Sequence, residues 1–275
     1  MLPARRALVS VFDKTGLDEL ARGLTRLGIE IVSTGGTLKA LQEKKIPVVA
    51  VSDVTGFPEI LEGRVKTLHP KIHGGILAKR SEQEHLDALA HHGIDRIDLV
   101  VVNLYPFRET VARGASFAQT IEMIDVGGPT MVRAAAKNFD GVAVVVEPAD
   151  YPRVIAALEQ GQGVVPEPLR RELALKAFRH TAAYDAAIAE WLGAQTATPE
   201  PEREEKDGPF PMMEALGLRR EMVLRYGENP HQGGAVYSVT GGPGVFGGFQ
   251  ALQGKELSWN NLLDADAARK MAGLF

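Results

Sequence analysis

The chain has 275 residues, enough for one large domain or two modest ones, each able to bury a core. Its 31 Lys and Arg against 35 Asp and Glu leave a formal charge of -4, so the overall balance gives no electrostatic reason to expect nucleic acid or an anionic membrane as partner. The absence of Cys excludes disulfides, thiolate metal sites and cysteine nucleophiles, and the apolar run after Arg6 is too short for a signal-peptide core or a membrane span, so a cytoplasmic location is expected.

Residues 7–12, 29–33, 48–51, 97–103 and 142–147 are nearly continuous runs rich in Val and Ile, as strands covered on both faces must be. Between the first two, Leu17, Leu20, Ala21, Leu24 and Leu27 recur at helical spacing and Gly28 supplies the stop. Residues 38–45, 82–92, 129–137 and 152–160 continue the helical pattern, and Ser116 to Gln119 has capping-box spacing. This succession predicts an α/β fold with a doubly wound, mostly parallel sheet. Residues 167–192 read as one or two helices closing the first domain. Residues 196–208 are dense in Pro, Glu, Thr and Lys with little to bury, so a linker is expected over 196–218, between domains at 1–195 and 219–275. From Met222 onward short strand-like pieces lie among glycines, as at 241–244 and 246–249.

In such a sheet ligands bind beyond the carboxyl ends of the strands, and the polar residues gather there. Ser10 and Lys14 follow the first strand, Thr34, Gly35, Gly36 and Thr37 the second, and Asn103 and Tyr105 the fourth. The Thr34–Thr37 stretch, between strand and helix, can cradle a phosphate with N–H groups and hydroxyls, but it can equally be a tight turn. Neither the Walker pattern nor the dinucleotide fingerprint is present, so nucleoside triphosphate and NAD are not expected ligands. Between Gly63 and Gly75, Arg64, Lys66 and Thr67 supply a forked donor, a point charge and a hydroxyl, with no amphipathic period to explain them. A lysine at a helix start, as Lys14 is, is disfavoured unless an anion is present. Asp125 directly precedes Val126, Gly127 and Gly128, where it is either an N-cap or a carboxylate at the ligand beside free N–H groups. Lys137 closes the following helix, where a lysine offsets the dipole. His69 and His73 have i, i+4 spacing, but Pro70 is read as breaking a helix between them and no carboxylate completes a set, so no metal site is expected.

Taken in order, Val9 to Gly16, Ser33 to Thr37, Gly63 to Gly75, Asn103 to Phe107 and Asp125 to Gly128 resemble the bifunctional purine-biosynthesis family of AICAR transformylase/IMP cyclohydrolase. Residues 1–195 resemble its cyclohydrolase domain, which has a methylglyoxal-synthase-like fold. Leu224 to Gln232 and Gly254 to Asp264 resemble the opening of its transformylase domain, an α+β deaminase-like fold that would be incomplete here.

The resemblance implies dehydrative ring closure of FAICAR to IMP, in a homodimer and without a cofactor. Asp125 and Lys137 would transfer protons, and Lys66, Tyr105 and the N–H groups around Val126 and Gly127 would stabilise the leaving oxygen. Ser10, Lys14, Thr34, Gly35, Gly36, Thr37, Arg64, Thr67 and Asn103 would hold phosphate and ribose. Phe12 departs from the family, which often has a hydroxyl-bearing residue there. In the second domain Arg225 and Tyr226 match nucleotide contacts of a transformylase that uses 10-formyltetrahydrofolate. Its Lys-His pair would lie after Phe275, so formyl transfer is not expected of this chain. Two alternatives remain: a phosphosugar lyase of the methylglyoxal synthase type, which Lys66, Thr67 and Tyr105 fit poorly, and a non-catalytic domain binding phosphorylated metabolites.

Overall fold

Runs of β-branched residues flanked by amphipathic helices leave both faces of a sheet to be covered, and the protein does so with helices on each side. The structure is a computed structural model that describes residues 3–196, 217–239 and 253–274. The chain divides into two compact units, Met1–Ala182 and Ala183–Phe275.

The first unit begins with β1 (Arg6–Val11), α1 (Leu17–Arg26), β2 (Glu30–Ser33), α2 (Gly35–Glu43), β3 (Val49–Ala50) and α3 (Val51–Thr55). A short 3-10 turn (Leu61–Gly63) precedes α4 (Pro70–Leu77) and α5 (Gln83–His91). Then come β4 (Leu99–Asn103), α6 (Phe107–Ala112), α7 (Phe117–Glu122), α8 (Gly127–Lys137), β5 (Ala143–Val145), α9 (Tyr151–Gln160) and α10 (Glu167–Thr196), whose residues from Ala183 on belong to the second unit. The strands form one sheet in the order β3-β2-β1-β4-β5, and every pairing is parallel. All five predicted strands are present, so the doubly wound α/β expectation holds.

Alternation along the strands builds two half-cores. Ala7, Val9, Leu99, Val101 and Val145 cluster with Leu20 and Leu24 of α1 and Val154 and Leu158 of α9. Leu8, Val100 and Val144 are equally buried on the opposite face, where α8 packs on β4 and β5 and against α4. Each fully buried leucine contributes about 1.5–3 kcal/mol.

Pro70 corrects a sequence expectation. It opens α4 rather than breaking a helix, because a proline at the first helical position loses an N–H that has no intrahelical partner anyway. His69 is the N-cap, its Nδ1 accepting from the Lys71 N–H at 3.1 Å. Residues 167–192 belong to a single helix. The capping box at Ser116 and Gln119 forms as its spacing predicts.

Within the second unit, β6 (Leu218–Leu224) and β7 (Gly234–Val239) pair antiparallel with an irregularity between Arg220 and Met222. The helix α11 (Trp259–Ala272) starts from a capping box of Ser258 and Asn261. Most of the expected linker, and the pieces expected at 241–244 and 246–249, lie outside the described residues. Among the described residues no helix is long and apolar enough to cross a membrane.

Candidate active site

Strand order reverses between β1 and β4, so the loops leaving their carboxyl ends diverge to opposite faces and open a crevice. Val11 pairs with Asn103 at that edge. A cavity of about 890 Å³ lies there, lined by residues from five separate stretches of sequence.

The first stretch is the turn after β1. Lys14 folds its ammonium back onto the Val11 carbonyl, the Phe12 carbonyl at 3.3 Å and Thr37 Oγ1 at 3.3 Å. Partial burial lowers its pKa, against the opposing pull of Asp13. Thr37 is buried, accepting from the Val11 N–H at 3.0 Å and donating to the Val11 carbonyl at 2.9 Å. These bonds join the turn to the start of α2, where Gly35, Gly36 and Thr37 present N–H groups that no helical carbonyl can reach. Thr34 is the N-cap residue in extended conformation, without a side-chain cap bond.

The third stretch carries Arg64, Lys66 and Thr67. Arg64 is exposed and ion-paired with Glu122 at the end of α7, and that carboxylate raises its pKa. The Lys66 ammonium lies between two glycines: a side-chain carbon on Gly35 would meet it at 3.5 Å and one on Gly63 at 3.6 Å. Both glycines have positive φ, +53° and +88°, so the backbone conformation itself favours glycine. Thr67 is buried, and Gly127 passes so close that an added Cβ would come within 2.9 Å of its hydroxyl.

Asp125 sits just before α8. Its Oδ1 accepts from the Gly128 N–H at 2.8 Å. Burial raises its carboxyl above the ordinary value, while that N–H, the nearby Lys66 charge and the Tyr105 backbone N–H pull the other way. A carboxylate short of water is suited to take up a proton, and the neighbouring ammonium keeps part of it ionised and ready to do so.

The cavity thus gathers Ser10, Lys14, Thr34, Gly35, Gly36, Thr37, Arg64, Lys66, Thr67, Asn103, Tyr105, Asp125, Val126 and Gly127. Two candidates behave differently from their sequence reading. Lys137 is exposed at the far end of α8, about 15 Å along the axis from Gly127, and is not among the lining residues. Asn103 lines the cavity but spends its amide on the β1 turn, accepting from the N–H groups of Phe12 (2.5 Å) and Asp13 (2.9 Å) and donating to the Asp13 carbonyl (3.1 Å). Sequence reasoning did not select Glu122 or Met131. Nothing in their local pattern separates them from ordinary helix residues.

In the second unit, the Arg225 guanidinium lies over the Tyr226 ring at 4.9 Å. The Arg225 N–H donates to the Leu257 carbonyl at 2.8 Å. Hydrogen bonds from Ser258 and Arg225 lower the Tyr226 pKa. No cluster of three or more His, Asp or Glu suited to a metal occurs among the described residues.

Residues 16–130 match the model of the MGS-like domain, the class that the parallel sheet and crevice define. Residues 135–275 match the model of the AICARFT/IMPCHase bienzyme, and the chain belongs to that family. It is 52% identical to the bifunctional purine biosynthesis protein PurH of Mycobacterium marinum (strain ATCC BAA-535 / M) over 98% of its own length and 50% of that protein. It is 55% identical to PurH of Desulfitobacterium hafniense (strain DSM 10664 / DCB-2) over 96% of its length and 50% of that protein. The chain therefore spans about half the length of these curated relatives. The solved structure of ForH aligns over 69% of this chain and 100% of its own, with 43% identity and a TM-score of 0.61.

Proposed function

We propose that the first unit is an IMP cyclohydrolase, closing FAICAR to IMP with loss of water in purine biosynthesis. The observation that carries this reading is the pairing, inside one cavity, of a phosphate-type cradle at the start of α2 with a desolvated Asp125 beside Lys66. The reacting amide nitrogen and formyl carbon belong to one molecule, so the protein has only to hold them in a near-attack conformer.

Lys14, Thr34, Thr37 and Arg64, with the N–H groups of Gly35 and Gly36, hold the 5′-phosphate, and Ser10 and Thr67 meet the ribose. Asp125 accepts a proton as the carboxamide nitrogen bonds to the formyl carbon. The formyl oxygen gains charge in that step and receives hydrogen bonds from Lys66, the Tyr105 phenol and the N–H groups around Val126 and Gly127. Asp125 passes that proton to the oxygen, and as the C–O bond breaks the formamido nitrogen gives up its own N–H proton and forms the ring C=N bond, so the oxygen leaves as water. Lys137, at the far end of α8, is given no part in this scheme. No cofactor is needed, because charge stabilisation and proton transfer both lie within reach of these side chains.

For the second unit we propose that Arg225 and Tyr226 contact AICAR in a longer protein that formylates it with 10-formyltetrahydrofolate. The test for the first unit is incubation of the chain with FAICAR while IMP absorbance is followed. Turnover above a no-enzyme blank is expected. Binding without turnover would instead support a regulatory metabolite-binding domain.

A further inference from the structure

We propose that Phe12, braced by Tyr105, is a specificity-determining residue that holds the flat heterocycle of the nucleotide by stacking; this deepens the nucleotide reading above and rests on it.

The phenyl ring is 51% exposed and lines the cavity. An exposed phenylalanine alone means little. Here, however, the backbone that carries it is pinned at the cavity's edge. Asn103 takes the N–H groups of both Phe12 and Asp13 and donates to the Asp13 carbonyl, while Lys14 Nζ reaches the Phe12 carbonyl at 3.3 Å. A side-chain amide is thus spent on fixing the turn that displays an apolar ring to a cavity.

Phe12 meets Tyr105 edge-on, with ring centroids 5.8 Å apart and planes at 65°. Aromatic pairs favour this arrangement, which braces the first ring without covering it. The remaining lining includes cations, hydroxyls and glycine N–H groups at Thr34–Thr37 and Arg64–Thr67, apolar side chains at Ile124, Val126 and Met131, and the carboxylates of Glu62, Glu122 and Asp125. A ligand with a phosphate at one end and a planar base at the other matches the first two of these.

A hydroxyl-bearing residue at position 12 would offer a hydrogen bond; phenylalanine offers a face. Stacking is indifferent to which ring atoms are polar but demands planarity. It therefore favours conformers in which the formamido and carboxamide groups stay close to the imidazole plane, near the geometry of the flat bicyclic product.

The test is calorimetric titration of the full chain and its Phe12→Leu and Phe12→Tyr variants with IMP and, separately, with ribose 5-phosphate. Because leucine keeps apolar bulk and loses the π face, Phe12→Leu should weaken IMP about 3- to 10-fold. Its affinity for ribose 5-phosphate should be unchanged, and Phe12→Tyr should bind IMP as the parent does. Thermal melting of each variant checks that it is folded. Equal weakening of both ligands would mean that the turn, rather than the ring, had been disturbed, and would overturn the proposal. So would IMP affinity unchanged in Phe12→Leu, and in that case the nucleotide reading would survive. Failure of the parent chain to bind IMP would overturn both.

Discussion

Asp125 carries opposing demands, because the burial that suits it to the proposed role of base also penalises its charge. Its carboxyl is raised above the ordinary value of 3.8, so ionisation costs the folded state more than the unfolded one. The sign is the reverse of an ordinary salt-bridged aspartate. The penalty is fully present above the folded pKa and disappears as pH falls through it towards the unfolded value. Asp125→Asn, which can still accept the Gly128 N–H, should therefore melt higher than the parent at neutral pH. That advantage should shrink on acidification, while cyclohydrolase turnover is lost at every pH. Melting curves at neutral and acidic pH, read beside FAICAR turnover, check both halves. In the parent, kcat/KM should fall on acidification with a midpoint above 3.8, as expected of a base that must be ionised.

Arg64 and Lys66 should divide their labour. Arg64→Ala should mainly raise KM, and Lys66→Ala should lower kcat by about a hundredfold or more if it meets the developing oxyanion. Steady-state kinetics with FAICAR would expose swapped roles directly. Glu122 adds a refinement, since it holds Arg64 before any phosphate arrives. Exposed ion pairs are weak, so Glu122→Gln should lower KM only about two- to fivefold, with kcat unchanged. A rise in KM would mean that Glu122 positions Arg64 rather than competing for it.

Among the elements, α8 depends most sharply on one residue. A Cβ on Gly128 would run into the Asp125 carboxylate and come within 2.8 Å of Leu104 Cδ2. Both neighbours are fixed by the site and the core. Gly128→Ala should therefore cost about 1–3 kcal/mol of stability by overpacking and lower kcat by displacing Asp125. Denaturant titration and turnover assays measure the two effects. This need for glycine was not legible in the sequence, where the pair at 127–128 looked like a turn launching a helix. The five strands were legible because a doubly covered sheet demands continuous apolar runs, and α1 because its leucines keep helical spacing. The short helices α3 and α6 were not, since five or six residues carry too little periodicity. Pro70 misled because a proline reads alike as a helix breaker and a helix opener; only the His69 cap distinguishes the two. Of the site, Lys14 and Thr34–Thr37 were legible from their positions at strand ends, Lys66 from a basic segment without amphipathic period, and Asp125 from its place before a glycine turn that opens a helix. The Phe12–Tyr105 pair was not, because residues so far apart in sequence meet only when β1 and β4 pair.

For the molecule as a whole, the described residues hold no cluster of three or more metal-ligating side chains of the acidic or imidazole type. The proposed cyclisation draws its charge stabilisation from Lys66 and backbone N–H groups instead. FAICAR turnover should persist after dialysis against a strong chelator. A loss of rate restored by a divalent cation would refute that account.

The switch point also bears on how the protein is made. Phe12 and the Asn103 that fixes its turn are 91 residues apart, and the central strand β1 has β4 as one of its two neighbours. At roughly 5–20 residues per second, translation leaves β1 on the order of 5–20 s with β2 on one side and an open apolar edge on the other. During that interval the nascent chain is open to mispairing, and the candidate cavity lacks Asn103, Tyr105 and Asp125 from its lining. The phosphate-type cradle at the start of α2 can therefore form before β4 is made, whereas the Asp125 side of the cavity must wait for it.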